Sequence, residues 1–172
     1  AVAYILAVHV PIAGLSIIPV FLTDWPLLLL PVHVVFLELI IDPACSLIFE
    51  AEEAEPGVMH RPPRKPTERL FNLKTVGVSL LQGAVALGII LGVIELSTAL
   101  GHPEENGRRV LAFMALVAAN LALILTNRSW SRTILSMFRQ PNRALWIVLA
   151  GATIGMGLIV SVPFLRDLFH FS

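Results

Sequence analysis

Five long apolar runs alternate with short polar stretches along the chain. A run of about twenty apolar residues is enough to cross the hydrocarbon core of a bilayer as a helix, and each run is near that length. The first covers residues 1–22. Pro11 and Pro19 interrupt it, and His9 sits two residues before Pro11. A short connection, Thr23-Asp24-Trp25-Pro26, leads into the second run, residues 27–49. Trp25 suits a membrane interface, and so brief a turn makes the two spans an antiparallel hairpin. The third run, 75–100, is rich in glycine (Gly77, Gly83, Gly88, Gly92), and small residues let helices approach closely. Gln82 and Glu95 are its polar members. The fourth, 110–126, has Asn120 as its only strongly polar interior residue. The fifth, 144–165, carries Gly151, Gly155 and Gly157, and a polar tail, Arg166-Asp167, follows. The pattern predicts an all-α fold, a polytopic transmembrane helical bundle of about five spans, in one domain over residues 1–172.

The intervening segments set the orientation. Residues 50–74 are polar and proline-rich, opening with Glu50, Glu52, Glu53 and Glu55 and then turning basic, as an extended solvated loop would. Residues 127–143 form a second basic loop with room for a short interfacial helix. The first loop and its edge hold Arg61, Arg64, Lys65, Arg69 and Lys74. The second holds Arg128, Arg132, Arg139 and Arg143, so nine of the chain's twelve Lys and Arg lie on one side. By the positive-inside rule both loops are cytoplasmic, and the short loop near residues 101–107 is external.

Composition agrees. The chain is 56% hydrophobic and 14% charged, and its mean hydropathy is +0.82. These are values of a membrane protein, not a soluble one. A net charge of zero offers no basic surface for nucleic acid. The single Cys45 excludes a disulfide within the chain, and in its apolar run it reads as a small core residue. The chain starts inside an apolar run without a charged leader, so it does not read as a signal peptide. It is expected to be a segment of a longer protein.

The chemistry concentrates in residues 31–51, PVHVVFLELIIDPACSLIFEA. Glu38 and Asp42 lie four apart, on one face of a helix and one turn from each other. A carboxylate at bilayer depth costs roughly 2.5–3.5 kcal/mol on insertion scales, so two on one face ask for a reason. Pro43 follows Asp42 directly. It has no amide proton to donate and pushes its predecessor away from helical geometry, so the helix is expected to break where the acid sits. A broken helix with freed carbonyls beside carboxylates can bind a cation. His9 and Asn120 are further candidate ligands. Each has a plain alternative, a satisfied core histidine and an interhelical hydrogen bond. Glu95 reads as an interfacial acid, His33 as a helix-interface residue, and the acidic run 50–55 as a solvated surface. Nothing within the spans has the spacing of a hydrolase nucleophile and base or of a catalytic metal.

The run PVHVVFLELIIDPACSLIFEAE, followed by VMHRPPRKP, resembles the C-terminal membrane region of type II P-type cation-transporting ATPases. In calcium pumps of that family the sixth membrane helix reads approximately PVQLLWVNLVTDG, and a DRPPR-like segment follows it. Here the corresponding segment is His60-Arg61-Pro62-Pro63-Arg64. The resemblance covers nearly the whole chain, helices five to nine, and implies that Asp42 matches the ion-coordinating aspartate of helix six. Glu38 stands where the calcium pump has an asparagine ligand, His9 matches a helix-five asparagine ligand, and Asn120 matches a helix-eight glutamate ligand. Two ligand positions are filled by Ile12 and Ile41, which offer no side-chain oxygen. The chain contains no DKTGT phosphorylation sequence. The resemblance therefore implies the ion-translocating segment of a pump for calcium or another divalent cation, in a multi-pass protein of the bacterial plasma membrane. ATP and Mg2+ would act only in the parent's other domains. Its partners would be the lipid bilayer and the remaining membrane helices and cytoplasmic domains of the same protein. A proton or monovalent-cation pump segment, a stand-alone ion-binding membrane protein and a purely structural bundle are the alternatives.

Overall fold

The computed structural model describes residues 1–22, 25–52, 57, 60, 62–63, 72–101, 104–128 and 142–171. Within them every regular element is a helix: α1 Val2–Phe21, α2 Pro31–Pro43, a π-helical turn Ala44–Ile48, α3 Leu73–Ala99, α4 Glu105–Asn127, α5 Arg143–Ser161 and a short α6 Pro163–Leu168. Five helices are long and apolar enough to cross a membrane, with α2 and the π turn counting as one. The exterior is apolar too. Ile17, Val20, Val35, Leu39, Leu81, Ile89, Leu96, Ile147 and Ile154 are all exposed, a surface that only lipid or further protein would cover.

Proline sets two of the helix ends. The residue before a proline is driven into extended geometry. Leu30, before Pro31, has φ −100° and ψ 160°, so the second helix starts at Pro31, after the expected 27. Val162, before Pro163, has φ −92° and ψ 117° and ends α5 at Ser161, before the expected 165. Asparagine caps two helix starts: Asn72 Oδ1 accepts from Lys74 N–H at 3.1 Å and Asn142 Oδ1 from Leu145 N–H at 3.1 Å. Helix α4 begins at Glu105, more than a turn before the expected 110, and so carries Arg108 and Arg109.

One expectation is corrected. The second span is not broken at Asp42. The chain stays helical through Pro43 and widens into the π turn, closed by Phe49 N–H on Ala44 C=O at 3.2 Å. A wider turn absorbs the proline's missing bond without unwinding. The polar tail Arg166-Asp167 is exposed and belongs to α6. After α6 the chain turns back, and Phe169 and Phe171 are buried. The expected interfacial helix in 127–143 falls on residues 129–141, outside the described residues.

Helix α1 packs on α3 and α4, α3 on α4, and α5 on the π turn, α2 and α4. Gly83 makes the first contact possible. A Cβ there would stand 2.5 Å from Ala7 O and 2.6 Å from Val10 Cβ. Ala7 is four residues before Pro11, so its carbonyl has lost its usual helical donor. The bare glycine backs onto that carbonyl, which suits a close Cα–H···O approach.

Candidate ion-binding site

The four predicted ligands lie on three helices. Glu38, on α2, is half-buried, and Asp42, one turn on, is exposed on this chain. Ser46, in the π turn, donates its hydroxyl to Asp42 C=O at 2.8 Å. Pro43 leaves Leu39 C=O, between the two acids, without its helical donor. Cys45 and Tyr4 lie within electrostatic range of Glu38, and Cys45 also of Asp42. Asn120, on α4, is fully buried. His9, on α1, is exposed, and its Nδ1 is 2.7 Å from Ile5 C=O of its own helix.

The structure brings Asn120 to α1 through Tyr4, whose hydroxyl donates to Asn120 Oδ1 at 2.5 Å. Asn120 Nδ2 is buried with no hydrogen-bond partner among the described residues. His9 does not join this group. Among the described residues no three His, Cys, Asp or Glu side chains converge as a metal site would require.

Sequence reasoning passes over Tyr4, yet the chain has only one tyrosine. A buried phenol needs a polar partner, and a lone amide in another apolar span is the natural one. It also passes over a cluster at the far end of α4. Arg128 Nε and Nη2 donate to Glu52 Oε2 and Oε1 at 2.8 and 3.2 Å. Asn142 Nδ2 donates to Glu52 Oε2 at 3.1 Å and to Ile48 C=O, the end of the π turn, at 3.2 Å. Glu52 is thus not one more solvated acid but the junction of the second, fourth and fifth spans. No residue type or spacing marks it.

Residues 26–172 match the family model "Cation transporting ATPase, C-terminus". The chain belongs to that family. It is the C-terminal transmembrane region of a cation-transporting P-type ATPase, and so part of an integral membrane protein. It is similar to "Calcium-transporting ATPase 1" of Lactococcus lactis subsp. lactis (strain IL1403), with 26% identity over 159 residues. That alignment covers 91% of this chain and 17% of the relative, so this ATPase segment spans about a sixth of the relative's length. No solved structure matches it.

Proposed function

We propose that this segment carries the ion path of an ATP-driven pump for calcium or another divalent cation, in a bacterial plasma membrane, and that Glu38 and Asp42 hold the ion. The observation that carries the reading is the pair itself. Two carboxylates sit one turn apart on a membrane-spanning helix, directly before a proline and a π turn. A passing cation neutralises charges that lipid would otherwise penalise. Leu39 C=O, left without its helical donor, lies between the two acids as a further oxygen. Asn120 Oδ1 accepts from Tyr4 with one lone pair and keeps a second to offer. Calcium takes six to eight oxygens, so the rest of the same polypeptide would complete the shell and cover the face on which Asp42 is exposed. His9 is exposed on α1, with its ring nitrogen against its own helix, and is the least supported member of the ligand set.

The site's action follows from differential affinity. ATP chemistry in the parent's other domains would shift the helices between two arrangements, and the pair would bind tightly in one and weakly in the other. The test is ATPase activity of the full-length parent over a series of cations, for wild type, Asp42→Asn and Glu38→Gln. Activation should weaken by at least about tenfold in apparent affinity, since an ionic ligand becomes neutral. Unchanged ion dependence in both variants would refute the assignment.

A proton is the second reading. Ile12 and Ile41 stand at positions where the calcium pump has ligands, which leaves fewer oxygens for a divalent cation that takes six to eight. Activity that follows pH and ignores every added metal beyond Mg2+ would decide for it.

A further inference from the structure

At the Arg109 end of the bundle, the chain after α5 folds back over the start of the second span. Its α6 closes with His170 at φ 55°, and two backbone bonds finish the turn: His170 N–H to Asp167 C=O at 3.0 Å and Phe171 N–H to Arg166 C=O at 2.8 Å. That is the Schellman geometry. The turn delivers Phe169 and Phe171 against His33, with ring centroids at 5.6 and 5.2 Å, and against Phe113 at 5.7 and 5.6 Å.

Two side chains tie this strap down through its backbone. His33 is fully buried, and its ring nitrogens play opposite roles. Leu30 N–H donates to Nδ1 at 3.0 Å, so Nδ1 carries no proton. Nε2 lies 2.9 Å from Phe169 C=O, a pure acceptor, so Nε2 carries one. The geometry therefore fixes the neutral imidazole in a single tautomer. Arg109 grips the next carbonyl. Its guanidinium donates to His170 C=O at 3.1 Å and to Leu27 C=O at 3.1 Å, while Glu105 at 2.8 Å and Asn106 at 3.1 Å hold it from its own helix.

We propose that residues 163–171 form a strap over the mouth of the second span, and that protonation of His33 releases it. A second proton on Nδ1 would meet the Leu30 N–H head to head, destroying the bond that caps the start of α2. It would also put a cation near two other basic groups, Arg109 from α4 and His170 from the strap itself. The rings packed on His33, Phe113, Phe169 and Phe171, carry no charge, and the Glu105 carboxylate is already engaged by Arg109. Acidification on that side of the membrane would thus free the strap from a span that also carries Glu38 and Asp42. The inference holds whatever ion the pump carries.

Hydrogen exchange on the full-length protein in vesicles tests it. Exchange of the amides of 169–171 is followed at pH values across the range where histidine changes charge, about 5 to 8, each normalised to an unfolded peptide of the same sequence. Wild type should lose about tenfold in protection on acidification. His33→Gln keeps a neutral donor and acceptor but has no proton to gain, so its protection should stay flat with pH. His170→Asn, which removes the other histidine, should keep the wild-type loss. Protection in wild type that does not change with pH would overturn the proposal, whether or not His33→Gln folds. So would a pH response that survives in His33→Gln or disappears in His170→Asn.

Discussion

Glu52 and His170 show what a single position can hide. Glu52 stands in a run with Glu50, Glu53 and Glu55, and its own chemistry does not distinguish it. Its partners, Arg128 and Asn142, lie 76 and 90 residues away, and only the packed bundle brings them together. Breaking a buried ion pair by removing one partner strands the other charge, at about 3–5 kcal/mol. Glu52→Leu and Arg128→Met alone should each lower thermal stability by something of that order. The double variant should recover most of the loss, because no charge is then left unpaired. A double-mutant cycle on unfolding midpoints in detergent checks this, and simple additivity would contradict the pairing. His170 offers the opposite case. Its φ of 55° is the left-handed geometry that costs a side-chain-bearing residue about 1–2 kcal/mol and glycine almost nothing. Its side chain is exposed. His170→Gly should therefore raise the unfolding midpoint, read in the same assay, and a lowered midpoint would mean the histidine side chain contributes more than the turn loses.

At the scale of helices, the apolar runs and the prolines made most of the architecture readable. Each of the five expected spans overlaps one long helix over most of its length. Where ends moved, Pro31 and Pro163 explain two of the shifts by the rule applied to Pro43. What proline did at position 43 was less legible. Local rules say that a helical bond is lost there; they do not say whether the helix unwinds or widens, because that depends on what packs beside it. Here α5 and Asn142 seat the π turn. The glycines divide in the same manner. All four in α3 read alike as small residues, yet a Cβ at Gly83 would run into α1, while one at Gly88 would meet nothing within 4 Å. Gly83→Val should push α1 and α3 apart and cost about 1–3 kcal/mol. Gly88→Ala should be neutral or slightly stabilising, since alanine is the better helix former by about 1 kcal/mol. Equal effects of the two, measured as midpoints side by side, would show that close approach at Gly83 does not govern this packing.

For the whole molecule, the carboxylate pair was visible in the sequence because charge in an apolar run is costly wherever the run ends up. The Tyr4–Asn120 bond and the two polar junctions at opposite ends of α4 were not, since each joins residues from separate spans. Those junctions bear on orientation. The Glu52–Arg128 end lies next to the loops that hold nine of the twelve Lys and Arg, whereas Arg109 is tied to the strap and to Leu27. The basic excess should keep the Glu52–Arg128 end in the cytoplasm, because translocating Lys and Arg is disfavoured. Glu50 and Glu104 are both exposed, Glu50 just after the second span and Glu104 between the third and the fourth. With Cys45 replaced by serine, Glu104→Cys should react with a membrane-impermeant maleimide on intact cells, and Glu50→Cys only after permeabilisation. That arrangement would also face the His33 strap outward, where acidity varies most and a proton could reach it without crossing the membrane. The reverse labelling pattern would turn the bundle over, and the strap would then answer to cytoplasmic pH instead.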